Sequence, residues 1–366
     1  MSARATIMPW TSSVVIVALA ALLGSGPAAA QPNPKAAWEA LDAGRLQDAA
    51  DRFDDLVYRM PRDPMTHLGA GIAAHRLGRV PKARAALEEA LRLAPDLTPA
   101  MVLLGDILAR EGDLLGAIAH YERLLALEPD DAVAVERLDR WRTEQALHEQ
   151  FRQSASPNFT VLFEGPAEEA LAQRALELLE TAFWRIGGAL GVYPAGAITL
   201  VLYTGQQFQD VTRSPAWAAG LFDGRIRIPV RGALENEEEF ARVLAHEFTH
   251  ALVYSIAPRR VPHWLHEGLA TVFERDDMTW SRTQVQETGR ILPLGALEGS
   301  FRGLSADDLK LGYAVSGLAT EALLAQAGAP SVVALLQDLA NGEDFRAAFA
   351  HRILIPFDEF AATWWR

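Results

Sequence analysis

The chain has 366 residues, half of them apolar, a formal net charge of −13 and no cysteine. Such a length suggests about two domains with ample material for a core. The missing thiol excludes a disulfide scaffold, a cysteine nucleophile and thiolate metal sites, so any metal must rest on His, Asp or Glu. The acidic balance argues against nucleic acid as a partner, since that binding needs clustered Lys and Arg.

In chain order, residues 1–30 carry one charge, Arg4, then the apolar run Val14 to Leu23, the helix breakers Gly24 to Pro27, and Ala28-Ala29-Ala30. The run falls short of the roughly 20 residues that span a bilayer, and the alanines form a small-residue cleavage pattern. A secretory signal peptide cut before Gln31 is expected, with an uncleaved anchor as the alternative. No later stretch reads as apolar enough to span a membrane. Export without a lipid-bearing cysteine implies a periplasmic or secreted bacterial protein.

Residues 31–131 repeat with a period of 34. Gly44, Gly78 and Gly112 form one series and Ala49, Ala83 and Ala117 a second. Phe53, Leu87 and Tyr121 form a third, Pro61, Pro95 and Pro129 a fourth, and Gly71 with Gly105 a partial fifth. The spacing predicts helix–turn–helix units. Glycine sits at the turn, alanine where two helices approach, the larger apolar residue in the seam, and proline at the end of the second helix. These residues resemble the tetratricopeptide repeat, with units near 30–63, 64–97 and 98–131. Ala40, Ala74 and Leu108 depart from it at one aromatic position of the first helix. The first helix of the first unit is expected to be short. Asp131 to Gln153 reads as an amphipathic capping helix that closes an all-α solenoid over 31–153. The resemblance implies a groove that binds a peptide or protein partner, or an array that only braces its neighbour.

Ser154 to Asn158 reads as a linker. Beyond it the periodicity changes. Phe159 to Glu164 alternates like a strand, Pro166 to Leu190 forms a long amphipathic helix, and Ala197 to Tyr203 forms an apolar strand. Asp223-Gly224 signals a hairpin within Leu221 to Pro229, with Ile226 and Ile228 on one face and Arg225 and Arg227 on the other. From Asn236 nearly everything reads helical. Strands first and helices afterwards make the second region α+β.

Asn236 to Ile256 reads as a helix with Asn236 and Glu239 as a capping pair. It holds His246-Glu247-Phe248-Thr249-His250. One turn separates the two histidines, so both imidazoles leave one face and can grip one tetrahedral ion. Glu247 can reach a water at that ion without being a ligand, as a general base does. Sixteen residues separate His250 from Glu267, which lies within Pro262-His263-Trp264-Leu265-His266-Glu267-Gly268-Leu269-Ala270. Pro262 opens a second helix, and Gly268 and Ala270 allow it to approach the first. Glu267 is the expected third ligand, with His266 as the alternative. His263 reads as a solvent-facing or supporting histidine. Thr271 and Glu274 read either as residues that orient a metal-bound histidine or as ordinary polar helix residues. His67, His75, His120, His148 and His351 read as structural.

His246-Glu247-x-x-His250 followed by Trp264-Leu265-x-Glu267-Gly268-x-Ala270 is similar to the gluzincins, the thermolysin-like zinc peptidases. The closest likeness is to the bacterial peptidase MA-like domains often joined to tetratricopeptide repeats, and it covers roughly 159–366. It implies a zincin-like fold, Zn2+ held by His246, His250 and Glu267, Glu247 as base, and peptide or protein substrates. It further implies that the hairpin near 219–229 forms the sheet edge beside the cleft, where an extended peptide can add as a strand. Tyr313-Ala314-Val315-Ser316 matches a Tyr-x-x-Ser pattern of that family. A phenol at Tyr313 could stabilise the oxyanion, or the ring could simply fill the core. Two rival functions stand beside the peptidase: a non-catalytic repeat scaffold carrying an inactive peptidase fold, and a zinc hydrolase acting on a non-peptide bond.

Overall fold

The computed structural model describes residues 33–213, 219–230, 236–275 and 277–365. The expected signal peptide, residues 1–30, lies outside them. The chain begins as three helix–turn–helix pairs: α1 (Pro34–Asp42) with α2 (Leu46–Arg59), α3 (Pro64–Arg76) with α4 (Val80–Leu93), and α5 (Thr98–Glu111) with α6 (Leu114–Leu127). The turns fall on Gly44, Gly78 and Gly112, whose φ angles of 73°, 74° and 92° are left-handed. A residue with a Cβ is strained there, which is why glycine recurs every 34 positions. Ala49, Ala83 and Ala117 are fully buried, as are Phe53 and Leu87, with Tyr121 nearly so. Gly71 and Gly105 make room for the larger residue of each seam: a Cβ there would meet Leu87 and Tyr121 at 2.8 and 2.7 Å. Helix α1 has nine residues against thirteen in α3, as the sequence led us to expect.

Helix α7 (Ala132–His148) caps the array. Trp141 meets the Tyr121 ring edge-on at 4.7 Å, and Arg137 joins Asp106 and the Tyr121 hydroxyl. The cap ends earlier than expected. Phe151–Ala155, assigned above to the end of that helix and the start of a linker, forms strand β1. It pairs antiparallel with β2 (Phe159–Glu164), so residues 156–158 are the turn of a hairpin. The capping helix therefore ends at His148, and the sheet begins at Phe151. The partly buried Phe151 ring packs 5.9 Å from Tyr203, against the cluster on that face of the sheet.

After a 3₁₀ turn at Pro166–Glu168 come α8 (Glu169–Leu190), β3 (Ile198–Tyr203), α9 (Gly205–Thr212), β4 (Leu221–Phe222) and β5 (Ile226–Pro229). The sheet order is β1-β2-β3-β5-β4, parallel in its middle three strands and antiparallel at both edges. Alternation assigns the two faces. Phe159, Val161, Leu200, Leu202, Ile226 and Ile228 build one core with α8 and with α10 (Glu237–Ile256). Val201 and Tyr203 face the other way, against Phe208 and Val211 of α9 and Leu147 of α7.

Arg225 and Arg227 also lie on that second face, and both are buried. They donate to Glu144 Oε1 of α7 at 2.7 and 2.6 Å, and Tyr203 Oη donates to the same oxygen at 3.2 Å. Burial alone would raise the Glu144 pKa, but Arg227 and Arg225 outweigh it and hold it low. The capping helix is thus shared between the repeats and the sheet.

The remainder is helical: α11 (His263–Glu274), α12 (Thr279–Thr288), α13 (Ala306–Ala340), α14 (Phe345–Ile353) and α15 (Phe357–Thr363). Their core joins Trp264, Leu265 and Leu269 of α11 to Leu311, Val315, Ala319 and Leu323 of α13. Contrary to the sequence expectation, α13 is by length and composition apolar enough to cross a membrane. Here that apolar content serves a helix–helix core, and the helix is broken at Gly328 ahead of Pro330.

Candidate metal centre

Helix α10 starts where Asn236 accepts a hydrogen bond from the Glu239 amide at 3.1 Å. Its middle carries His246, Glu247 and His250. Helix α11 follows Pro262 and brings Glu267 against that face. Gly268 sets the depth of α11. A Cβ there would lie 2.1 Å from Thr320 Oγ1 and 2.4 Å from the Ser316 carbonyl, so only glycine lets α11 seat on α13.

Three ligand atoms converge. His246 Nε2 lies 3.1 Å from His250 Nε2, and Glu267 Oε2 lies 3.7 and 3.4 Å from those two nitrogens. Tetrahedral zinc with bonds near 2.0–2.1 Å has ligand–ligand edges of about 3.3–3.4 Å, so this triangle suits it. Glu274, two turns after Glu267, accepts from His246 Nδ1 at 2.8 Å, and Nε2 is the ring nitrogen that faces the triangle. Arg242 holds the same Glu274 oxygen at 2.7 Å and clasps Glu239 with its other nitrogens. Of the two residues read as possible orienters, Glu274 reaches a histidine, and Thr271 lines the cleft instead.

His266 is not among the three residues whose ligand atoms converge: its ring lies parallel on His250, with centroids 4.4 Å apart. Burial and the neighbouring His250 push its pKa down to about 3. His263 Nε2 stands 3.5 Å from the other Glu267 oxygen, and its ring meets Phe301 edge-on. A second acidic group, Asp338, Glu343 and His351, is less suited to a cation, because Asp338 is clasped by Arg352 at 2.5 and 2.8 Å.

The electrostatics are those of a site short of positive charge. Burial would lower the His246 pKa, but the neighbouring carboxylates of Glu267 and Glu274 outweigh it and raise it to about 10. Burial would raise the Glu267 pKa, yet the two histidines hold it well below the ordinary carboxylate value. Glu247 goes the other way. Burial raises its pKa against the pull of His250 and His246. Its Oε2 and His250 Nδ1 are buried without a hydrogen-bond partner among the described residues.

Glu247 and Tyr313 share one cleft of about 390 Å³, also lined by Gly220, His246, Thr271 and Trp280. Tyr313 is half-buried on α13, its ring edge-on to Phe301 at 5.5 Å. Its pKa is raised by burial and by the facing Glu267, Glu247 and Glu274. Arg242 was missed in the sequence, although its position one turn before His246 places it on the same helix face. Trp280 gave no signal at all.

A search of curated proteins finds no match to the chain. Residues 35–98 and 99–132 match the tetratricopeptide-repeat family. The N-terminal region is therefore an array of tetratricopeptide repeats, a helical scaffold for protein interaction.

Proposed function

We propose that the protein is an exported zinc metallohydrolase that cleaves peptide bonds, its repeats engaging a substrate or partner protein. One observation carries this reading: two imidazole nitrogens and a carboxylate oxygen meet within 3.1–3.7 Å, with a fourth side chain, Glu247, beside them holding an unpartnered oxygen. His246, His250 and Glu267 would hold the ion, and zinc supplies Lewis acidity and lowers the pKa of water when bound. Glu247 accepts the proton of the attacking water, and its raised pKa suits it to return that proton to the leaving amine. Tyr313 donates its hydroxyl hydrogen to the developing oxyanion. Glu274 and Arg242 keep the His246 ring in one tautomer.

The test is zinc content together with hydrolysis of an unbiased peptide library. About one zinc per chain with peptide cleavage is expected. Zinc with cleavage of esters or other bonds alone favours the non-peptide hydrolase. Neither zinc nor turnover favours the scaffold, the role to which the repeats already point.

A further inference from the structure

The turns of the repeat array touch the hairpin that borders Glu247. Arg110, at the end of α5, donates from Nη1 to the Tyr254 hydroxyl at 3.3 Å, and its guanidinium lies 5.9 Å from the centre of that ring. Tyr254 stands on α10, two turns beyond Glu247. Its ring meets Phe222 of β4 edge-on at 5.4 Å. The turn of the same hairpin rests on the same arginine. A Cβ on Gly224 would sit 2.3 Å from Arg110 Cγ and 2.7 Å from the Arg110 carbonyl. At the other end, a Cβ on Gly220 would sit 2.6 Å from Glu247 Oε1. One short hairpin is thus braced by the third repeat at its tip and lies against Glu247 at its root.

We infer that Arg110 is a positioning residue: through Tyr254, Phe222 and Gly224 it sets the height at which β4 and Gly220 lie beside Glu247. Strand β4 ends the sheet, so this height decides how an extended substrate lines up with the cleft. The catalytic consequence rests on the hydrolase reading; the positioning itself does not. The guanidinium plane both donates to the hydroxyl and faces the ring, which a lysine ammonium reproduces only in part.

The experiment follows amide hydrogen exchange of residues 221–228, zinc content, and kcat and KM in the full chain. Variants are Arg110→Ala, Arg110→Lys and Tyr254→Phe, with Arg84→Ala as control because Arg84, among the described residues, pairs with Glu88 and Glu111 on the array surface. In Arg110→Ala, exchange should quicken by about five-fold or more, because the hairpin opens locally. KM should rise several-fold, with zinc unchanged and kcat within about two-fold. Arg110→Lys should recover part of both effects, and Arg84→Ala should show neither. Should Arg110→Ala fail to fold, Tyr254→Phe deletes one hydroxyl and should show a smaller change of the same sign. Unchanged hairpin exchange in these variants overturns the inference. Altered exchange with unaltered KM overturns its catalytic part. Altered exchange in a protein that cleaves no peptide even as wild type sinks the peptidase reading and leaves the positioning intact.

Discussion

Two buried clusters of charge differ in one respect. Around Glu144 the carboxylate acceptor is filled: Arg225 and Arg227 reach it, Tyr203 adds a hydroxyl, and Asp223 accepts from Arg227 at the rim, with Arg225 Nε left without a partner among the described residues. Around His246 the balance fails. Two nitrogens and an oxygen face one another, while Glu247 Oε2 and His250 Nδ1 have no partner among the described residues. Burial of charge alone therefore does not mark a site of chemistry. A closed cluster holds elements together, and a cluster with surplus lone pairs calls for a cation. Each cluster can be broken in its own way.

The largest effect on stability should come from Glu144→Ala. It strands two buried guanidinium groups, and breaking such a pair costs about 3–5 kcal/mol. Chemical denaturation measures this, and a loss near zero would mean the cluster is not closed. Tyr313→Phe keeps the ring and removes one hydroxyl. In the hydrolase reading, kcat should fall by about 10²–10³, a barrier change of about 2.7–4 kcal/mol, with KM little changed. An unchanged kcat assigns Tyr313 to packing alone. Glu274→Gln should weaken zinc affinity by about 10–100-fold, measured by competition with a chelator, because the group that orients His246 loses its charge.

A smaller effect separates the clusters by pH. Burial lowers the His148 pKa from 6.5 to about 4, so this ring is neutral against Tyr203 in the folded chain. Its folded pKa lies below its unfolded value, so the unfolded chain takes the proton first as pH falls. The stability this ring contributes is whole above pH 6.5, declines toward about pH 4 and then levels. The slope from one such group is at most about 1.4 kcal/mol per pH unit. His148→Gln should flatten this window in stability measured against pH, and an unchanged slope would place the titration elsewhere.

The repeats were legible because each requirement recurs: a left-handed turn at Gly44, Gly78 and Gly112 admits few other residues. The His246, Glu247 and His250 spacing was legible because one helical turn brings side chains together whatever surrounds them. Partners held across elements were not. Nothing local joins Glu144 to Arg225, or Arg242 to Glu274, since 81 and 32 residues separate them. Arg225 and Arg227 alternate with isoleucines as a half-exposed strand would, and their burial depends on where α7 ends. That end was obscured because Phe151–Ala155 continues the polar pattern of the helix before it.

The central claim is that a metal held by His246, His250 and Glu267 serves a reaction in which Glu247 is the base. Zinc content and peptide hydrolysis of Glu247→Gln, measured beside the wild type, test it most directly. The amide keeps the size of the side chain and leaves the three ligand atoms untouched, but it cannot take a proton. The account predicts an undiminished zinc content with hydrolysis lowered by about 10²–10⁴ or more. Hydrolysis at the wild-type rate, or a biological role that Glu247→Gln supports as well as the wild type does, would contradict it.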